Sequence, residues 1–333
     1  MQVSVIMSVY REPIEWLRQS IESILSQTFS DFEFIVICDD PAYSEAIALL
    51  KRYAENDPRI VLLINEENVG LTKSLNRGLR IAKGRYIARM DADDISDIQR
   101  LQIQHEFMEK NPDIAVCGTG RNILNVDKQS RKTYNTYSQS DDIMSIFVLR
   151  SAFTHPTVMF RRTIVDEGIS YDESFICAQD YDLWERLFER SYTFANIDMP
   201  LLNYRMSDIQ VSKNKNEIQV ANAKRVRNNF LTSLGINLKE EELNLLVLPF
   251  VKNIAVTRTM VKDYMNLLQN LREMMRKEKW FNVQAYQTEA ARFIINMAMK
   301  SNNRLSCLID FVFSPFFSLS VLRNNMSYYF HRL

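Results

Sequence analysis

Glycine is scarce in this 333-residue chain; there are only seven, so each is worth locating. Cysteine is scarcer still. Cys38, Cys117, Cys177 and Cys307 are scattered with no close pair. That excludes a thiolate zinc site and a disulfide framework, and suits reduced, cytosolic thiols. No charge sign dominates: Lys+Arg and Asp+Glu both number 41. A basic surface over the whole protein for nucleic acid is thereby excluded. The N-terminus lacks a charged leader region and its apolar run is broken by Arg11 and Glu12, so no signal peptide is expected. The most apolar late stretch, Leu305 to Leu322, contains Asp310 and Pro315 and falls short of the roughly 20 residues a membrane span needs. Internal repeats and low-complexity tracts are missing too. What remains, 46% hydrophobic and 25% charged residues, describes a globular chain of one large or two ordinary domains.

The overall neutrality hides an asymmetry. From Lys213 to Leu333 there are 18 Lys+Arg against 9 Asp+Glu, a balance of +9, so Met1 to Ser212 carries −9. An acidic front and a basic back imply different partners, and a division at residues 1–212 and 213–333.

In the front part, strand and helix patterns alternate. Val3 to Val9, Phe32 to Cys38 and Ile60 to Ile64 are β-branched, apolar runs that read as buried strands. Between them, Pro13 opens a helix with Ile14, Leu17, Ile21, Ile24 and Leu25 on one stripe, and a second helix runs from about Tyr43 to Ala54. Leu71 to Lys83 reads as a third helix after the turn Asn68-Val69-Gly70, and Arg85 to Met90 as a fourth strand. This spacing predicts a doubly wound, mostly parallel α/β sheet, which binds ligands outside the carboxyl ends of its strands. Helix is expected again over Asp97–Lys110 and Asp180–Glu189, and short strands at Ile114–Gly118, Thr157–Phe160, Phe194–Ile197 and Leu201–Tyr204. Val126 to Ser140 is polar and irregular, a hairpin or a loop. From Asn216 onward, stripes such as Val256, Met260, Tyr264, Leu267 and Leu271 predict an all-helical appendage.

The fourth strand ends in Asp91, Asp93 and Asp94. Packed carboxylates repel, and a bound divalent cation would offset the cost. The bland alternative is an acidic turn with Asp94 or Ser96 capping the next helix. Asp39 stands at a comparable position after the second strand.

Several motifs then carry a family resemblance: Val3-Ser4-Val5-Ile6-Met7-Ser8-Val9-Tyr10, Ser23 through Phe29, Asn68 through Gly78, Met90-Asp91-Ala92-Asp93-Asp94, and Gln179-Asp180-Tyr181-Asp182-Leu183-Trp184. Together they resemble the nucleotide-sugar domain of family 2 glycosyltransferases over about Gln2 to Ser212. The resemblance implies a GT-A fold and inverting transfer from a nucleotide diphospho-sugar, usually UDP-linked, to a hydroxyl of a glycan or lipid-linked acceptor. It implies that Asp39 meets the uracil imide and that Asp91 and Asp93 hold Mn²⁺ or Mg²⁺, with Asp93 the direct ligand and Asp91 alternatively on ribose or sugar hydroxyls. Asp180 becomes the base that takes the acceptor's proton. Lys73 would meet phosphate charge or stand free in solvent. Structural alternatives stay open: Asp39 as cap of the helix after Pro41, and Asp180 as cap of its own helix.

This chain departs from the family pattern in three places. Pro41-Ala42 replaces the usual Gly-Ser, Gln179 replaces an acid before the base, and Met206-Ser207 follow Tyr204-Arg205 where relatives carry a His. Fewer like charges beside Asp180 should raise its pKa less. His155, before Pro156, is expected to order a loop rather than bind metal. A haloacid-dehalogenase-type phosphatase and a non-catalytic sugar-nucleotide binder are the competing classes. For the basic back, an interfacial segment on an anionic membrane at the cytoplasmic face and a helical subdomain packed within the protein or against another subunit are both open.

Overall fold

The computed structural model describes residues 1–125, 130–134, 136–206 and 216–321. By backbone packing the chain forms two compact units, Met1–Ser138 with Phe153–Gln210, and Gln139–Ala152 with Val211–Leu333. The expected division at Ser212 and Lys213 lies outside the described residues.

The first unit begins with strand β1 (Val3–Val9) and helix α1 (Ile14–Leu25), with Pro13 at the N-cap position and its φ of −50° already set for a helix. Then come β2 (Phe32–Cys38), α2 (Ser44–Asn56), β3 (Ile60–Ile64), α3 (Leu71–Ile81) and β4 (Tyr86–Asp91). These strands line up β3-β2-β1-β4, all parallel. β1 and β2 are buried along their whole length, which is why their sequences run apolar instead of alternating. Ser8 pairs with Asp91 and Val9 with Cys38, so Tyr10, Asp39 and Asp91 emerge at one edge. Two glycines have a visible cause. Gly70 sits at φ 87°, and a Cβ on Gly84 would stand 2.4 Å from the Ser4 nitrogen.

Beyond β4 the sheet is mixed. β5 (Ile95–Ser96), α4 (Arg100–Lys110), β6 (Ile114–Asn125) and β7 (Ser130–Tyr134) precede α5 (Ser140–Ile146), which belongs to the second unit. β8 (Met159–Arg161), α6 (Thr163–Asp166), α7 (Gln179–Glu189) and β9 (Thr193–Met206) complete the first unit. β8 lies antiparallel between β4 and β6, β9 runs parallel to β6, and β5 is antiparallel to β9. β7 turns back on β6 as a hairpin, and the hairpin's tip lies outside the described residues. The two strands expected around residues 194–204 are one. Pro200, which should break a ladder, faces Gly120 where the register shifts, so its missing N–H costs no regular bond.

In the second unit α5 is joined by α8 (Asn216–Ser233), α9 (Glu240–Val247), α10 (Arg258–Met275), α11 (Val283–Lys300) and α12 (Arg304–Val312). Tyr264, Leu268, Leu271, Tyr286 and Ile294 form its apolar interior. Buried Glu289 is paired by Arg150 at 2.7 Å and Arg292 at 3.0 Å, and Arg227 donates to the carbonyls of Val148 and Leu149. Among the described residues no helix is long and apolar enough to cross a membrane. Cys38, Cys117 and Cys307 carry free thiols.

Candidate active site

The carboxyl edge of the parallel strands gathers most of the expected residues. The turn after β4 brings one carboxylate oxygen each of Asp91, Asp93 and Asp94 within 4.8 Å of one another. Asp94 is not a helix cap. It is fully buried, its Oδ1 accepts from the Arg205 main-chain nitrogen at 2.9 Å, and its Oδ2 has no partner. Burial, then the charges of Asp91 and Asp93, push its pKa well above the ordinary value. Nor does Ser96 cap α4. Asp97 shapes that turn instead, accepting from the Gln99 nitrogen at 2.9 Å. Three carboxylates this close, one of them buried with an oxygen that lacks a donor, are a hard-oxygen set that a divalent cation would satisfy.

Other residues hold this turn in place. Arg205 donates to the Asp93 carbonyl at 2.6 Å, also bonds Gln19, and lies over the Trp16 ring. From α1, Ser20 donates to the Asp91 carbonyl at 2.8 Å, and Ser23 accepts from the Ser96 nitrogen at 3.0 Å. Gln27 donates to the Asp97 carbonyl at 2.6 Å and accepts from the Leu101 nitrogen at 2.9 Å. Ser20 thus ties α1 to the acidic turn, and the Ser23–Phe29 motif clamps the segment Ser96–Leu101 that follows it. Arg89, 2% exposed and on the same face of β4, bonds the Asp91 carboxylate, while its Nε and Nη1 have no partner.

Asp39 does not cap the helix after Pro41. Its Oδ1 accepts from Asn65 Nδ2 at 2.6 Å and the Val69 nitrogen at 3.0 Å, and its Oδ2 from the Gly70 nitrogen at 2.8 Å. It thus builds the Asn68-Val69-Gly70 turn at the start of α3. With about four lone-pair sites on a carboxylate, one is left for a further donor. Asp40 takes the local turn instead, accepting from the Ala42 nitrogen at 2.9 Å and pairing with Arg11 at 2.7 Å. Lys73 is exposed in the first turn of α3.

α3 also positions the segment leading to Asp180. Thr72 donates to the Phe175 carbonyl at 2.7 Å, and Asn76 makes two bonds with the Tyr171 backbone, at 2.9 and 3.1 Å. Asp180 lies one residue inside α7, whose N-cap position is held by Ala178 in the left-handed region at φ 59°. It is not the cap. Its pKa is pushed up to about 6, chiefly by burial and slightly by Asp91, against the pull of the Tyr181 N–H, its own N–H and Arg89. Gln179 removes a like charge, yet the upward shift persists because desolvation, not repulsion, dominates it. His155 opens a single 3₁₀ turn, and its Nε2 lies 2.8 Å from the Tyr171 hydroxyl. Burial holds its pKa well below the usual range. It is an ordering residue and does not join the acidic group.

Sequence reading passed over Glu12. Its carboxylate accepts from the Tyr10 nitrogen at 2.8 Å, and its pKa rises to about 7 through burial first, with Asp93 and Asp91 adding to it. An acid immediately after the first strand, at the edge shared with Asp39 and Asp91, was the available signal. Arg205 was visible as half of a Tyr-Arg pair, but its grip on residues 111 and 112 positions away was not.

Comparison with known proteins adds a family. The model described as glycosyl transferase family 2 matches residues 4–169. An uncharacterized glycosyltransferase of Methanocaldococcus jannaschii is 37% identical over 205 residues, covering 61% of this chain and 70% of its own. The O-antigen biosynthesis glycosyltransferase WbnJ of Escherichia coli is 35% identical over 214 residues, covering 63% and 82%. Residues 1–349 of S. aureus TarS, solved with UDP-GlcNAc, superpose with a TM-score of 0.58 at 14% identity, covering 93% of this chain and 91% of that one. At that identity the likeness is one of fold.

Proposed function

The chain belongs to glycosyl transferase family 2 and is a glycosyltransferase of α/β, GT-A-like fold; from that premise we propose that it transfers a sugar, with inversion, from a UDP-linked donor to a hydroxyl of a glycan or lipid-linked acceptor. Membership sets aside the haloacid-dehalogenase alternative. We assign the chemistry to residues 1–212.

The observation that carries the reading is the group Asp91, Asp93 and Asp94, with an orphaned buried oxygen, at the carboxyl edge of the parallel strands. Asp93 and Asp91 would hold Mn²⁺ or Mg²⁺, with buried Asp94 behind them. When bound, the cation neutralises charge developing on the departing diphosphate. Asp39 offers its spare lone pair to the uracil imide N–H while fixing the turn ahead of α3. Lys73, exposed in that helix, is free to approach phosphate. Asp180, with a pKa of about 6, is mostly ionised at neutral pH and still basic enough to accept a proton. It takes the proton of the acceptor hydroxyl as that oxygen bonds the anomeric carbon. The bond from that carbon to the diphosphate breaks with its electrons, releasing UDP. The names of WbnJ and of the amylovoran biosynthesis glycosyltransferase AmsE favour a polysaccharide acceptor.

The test is a panel of nucleotide sugars scored by metal-dependent thermal stabilisation and then by UDP release with acceptor. A binding ligand raises the melting temperature. Stabilisation by UDP-sugars with Mn²⁺ and lost in EDTA supports the reading. UDP-sugar binding with no turnover on any glycan would instead mark a binding module, and no binding of any nucleotide sugar would overturn both.

A further inference from the structure

Among the described residues, α12 presents an exposed apolar ridge. Its Cys307 and Phe311 face inward and are buried, whereas Leu305 (73% exposed), Ile309, Val312 and Phe313 just beyond its end (85%) face out. At 100° per residue these four fall within a stripe about 100° wide, contiguous along one side. After the break at Pro315, Leu319 is again 79% exposed. Nothing in the chemistry of the first unit uses this surface.

We propose that this ridge is a membrane-docking face that inserts into the headgroup region of an anionic bilayer. Charge selects the occupant. Between Val283 and Val321 the only acidic residues are Glu289, buried and paired with Arg150 and Arg292, and Asp310. Asp310 is 15% exposed and is held by both nitrogens of the Arg258 fork, at 2.6 and 2.7 Å, with Lys262 at 3.7 Å. The one carboxylate of the ridge helix is thus covered by two cations, and between Val283 and Val321 the exposed charges, Lys300 and Arg304, are both positive; the nearest exposed acid in sequence to the covering cations is Asp263 on α10. The wider region 213–333 carries +9. Apolar side chains on one face with cations around them match an interfacial segment, whose binding combines insertion with attraction to anionic lipid. Five side chains expose a few hundred Å², short of the roughly 800 Å² per partner of a standard protein interface, which makes a second copy the poorer occupant. Arg323, which follows the ridge in sequence, lies outside the described residues. The inference is independent of the transfer chemistry.

The experiment uses the full chain with vesicles of phosphatidylcholine alone and of equal parts phosphatidylcholine and phosphatidylglycerol. Wild type is expected to sediment with the mixed vesicles at low salt, to be released by high salt, and to ignore the neutral ones. The double variant Leu305→Ser, Phe313→Ser removes exposed side chains only, so it should keep the wild-type melting temperature while binding at least tenfold more weakly. Arg304→Glu should weaken binding to a smaller degree. Wild type left in the supernatant with anionic vesicles overturns the proposal. So does undiminished binding by the double variant. A dimer that the double variant dissolves, with vesicles ignored, assigns the ridge to a second copy instead.

Discussion

Replacing Asp180 by Asn should make the protein more stable and nearly inactive at once, and the two effects should separate by pH. The carboxyl's lift from 3.8 to about 6 corresponds to about 3 kcal/mol of disfavoured ionisation at high pH. The folded state binds this proton more tightly than the unfolded chain. Its contribution to stability is therefore complete below 3.8 and lost as pH rises through 6. Asn keeps the size and cannot ionise. Asp180→Asn should match wild type in urea unfolding at about pH 4 and exceed it by up to about 3 kcal/mol at pH 8, less whatever relaxation of the site recovers. Turnover should fall by about 10²-fold or more, because a general base is lost. In wild type, kcat/KM reports the free enzyme, so its acid limb should fall tenfold per pH unit below about 6. An unchanged turnover number in Asp180→Asn would place the base elsewhere, with Asp182 tested next. A stability difference of the opposite sign at pH 8 would refute the desolvation argument itself.

Three further substitutions probe the rest of the site. Asp93→Ala should abolish turnover and weaken Mn²⁺-dependent UDP binding measured by calorimetry, with EDTA mimicking it in wild type; full activity in EDTA would remove the metal from the reading. Asp39→Ala strands the donors of Asn65, Val69 and Gly70 and should cost about 3 kcal/mol in chemical denaturation, besides weakening UDP binding; a loss in binding alone would mean the turn does not depend on this carboxylate. Arg205→Met removes the bond to the Asp93 carbonyl and the stacking on Trp16 but not the main-chain bond to Asp94. It should lower metal affinity by about tenfold or more while the protein stays folded, and an unchanged Mn²⁺ titration would reduce Arg205 to packing.

The parallel half of the sheet was legible because its strands are unbroken apolar runs, β1 and β2 buried along their whole length and β3 half-buried. Val3–Val9, Phe32–Cys38 and Ile60–Ile64 announce themselves as apolar runs and appear with those bounds. The mixed half was not, because its partners are distant or its strands too short to show a period. β5 is two residues paired with Asn203 and Leu202, and β9 continues through a proline only because Gly120 lies opposite. At the site, Asp91, Asp93 and Asp180 were identifiable by motif. The division of labour between neighbours was not. Asp39 rather than Asp40 organises α3, Asp94 rather than Asp93 is the buried member, and Glu12, after another strand, feels the charges of Asp93 and Asp91. Such roles depend on which carboxylate a remote main-chain N–H happens to reach.

The same long reach sets when the site can exist during synthesis. The acidic turn is made early, at residues 91–94, but Arg205, which holds it from both sides, follows 111 residues after Asp94. The Thr72 hydroxyl likewise waits 103 residues for the Phe175 carbonyl. Contacts this distant in sequence pay their loop-closure entropy before they return anything, so they form late. At about 5–20 residues per second, a growing chain would hold the acidic turn without Arg205 for roughly five to twenty seconds. A ribosome-bound fragment ending before Arg205 would contain Asp39, Asp91, Asp93, Asp94 and Asp180 yet lack both the guanidinium that bonds the Asp93 carbonyl and the main-chain nitrogen that bonds the Asp94 carboxylate. Catalytic competence would then be gained in one late step, when β9 closes the sheet.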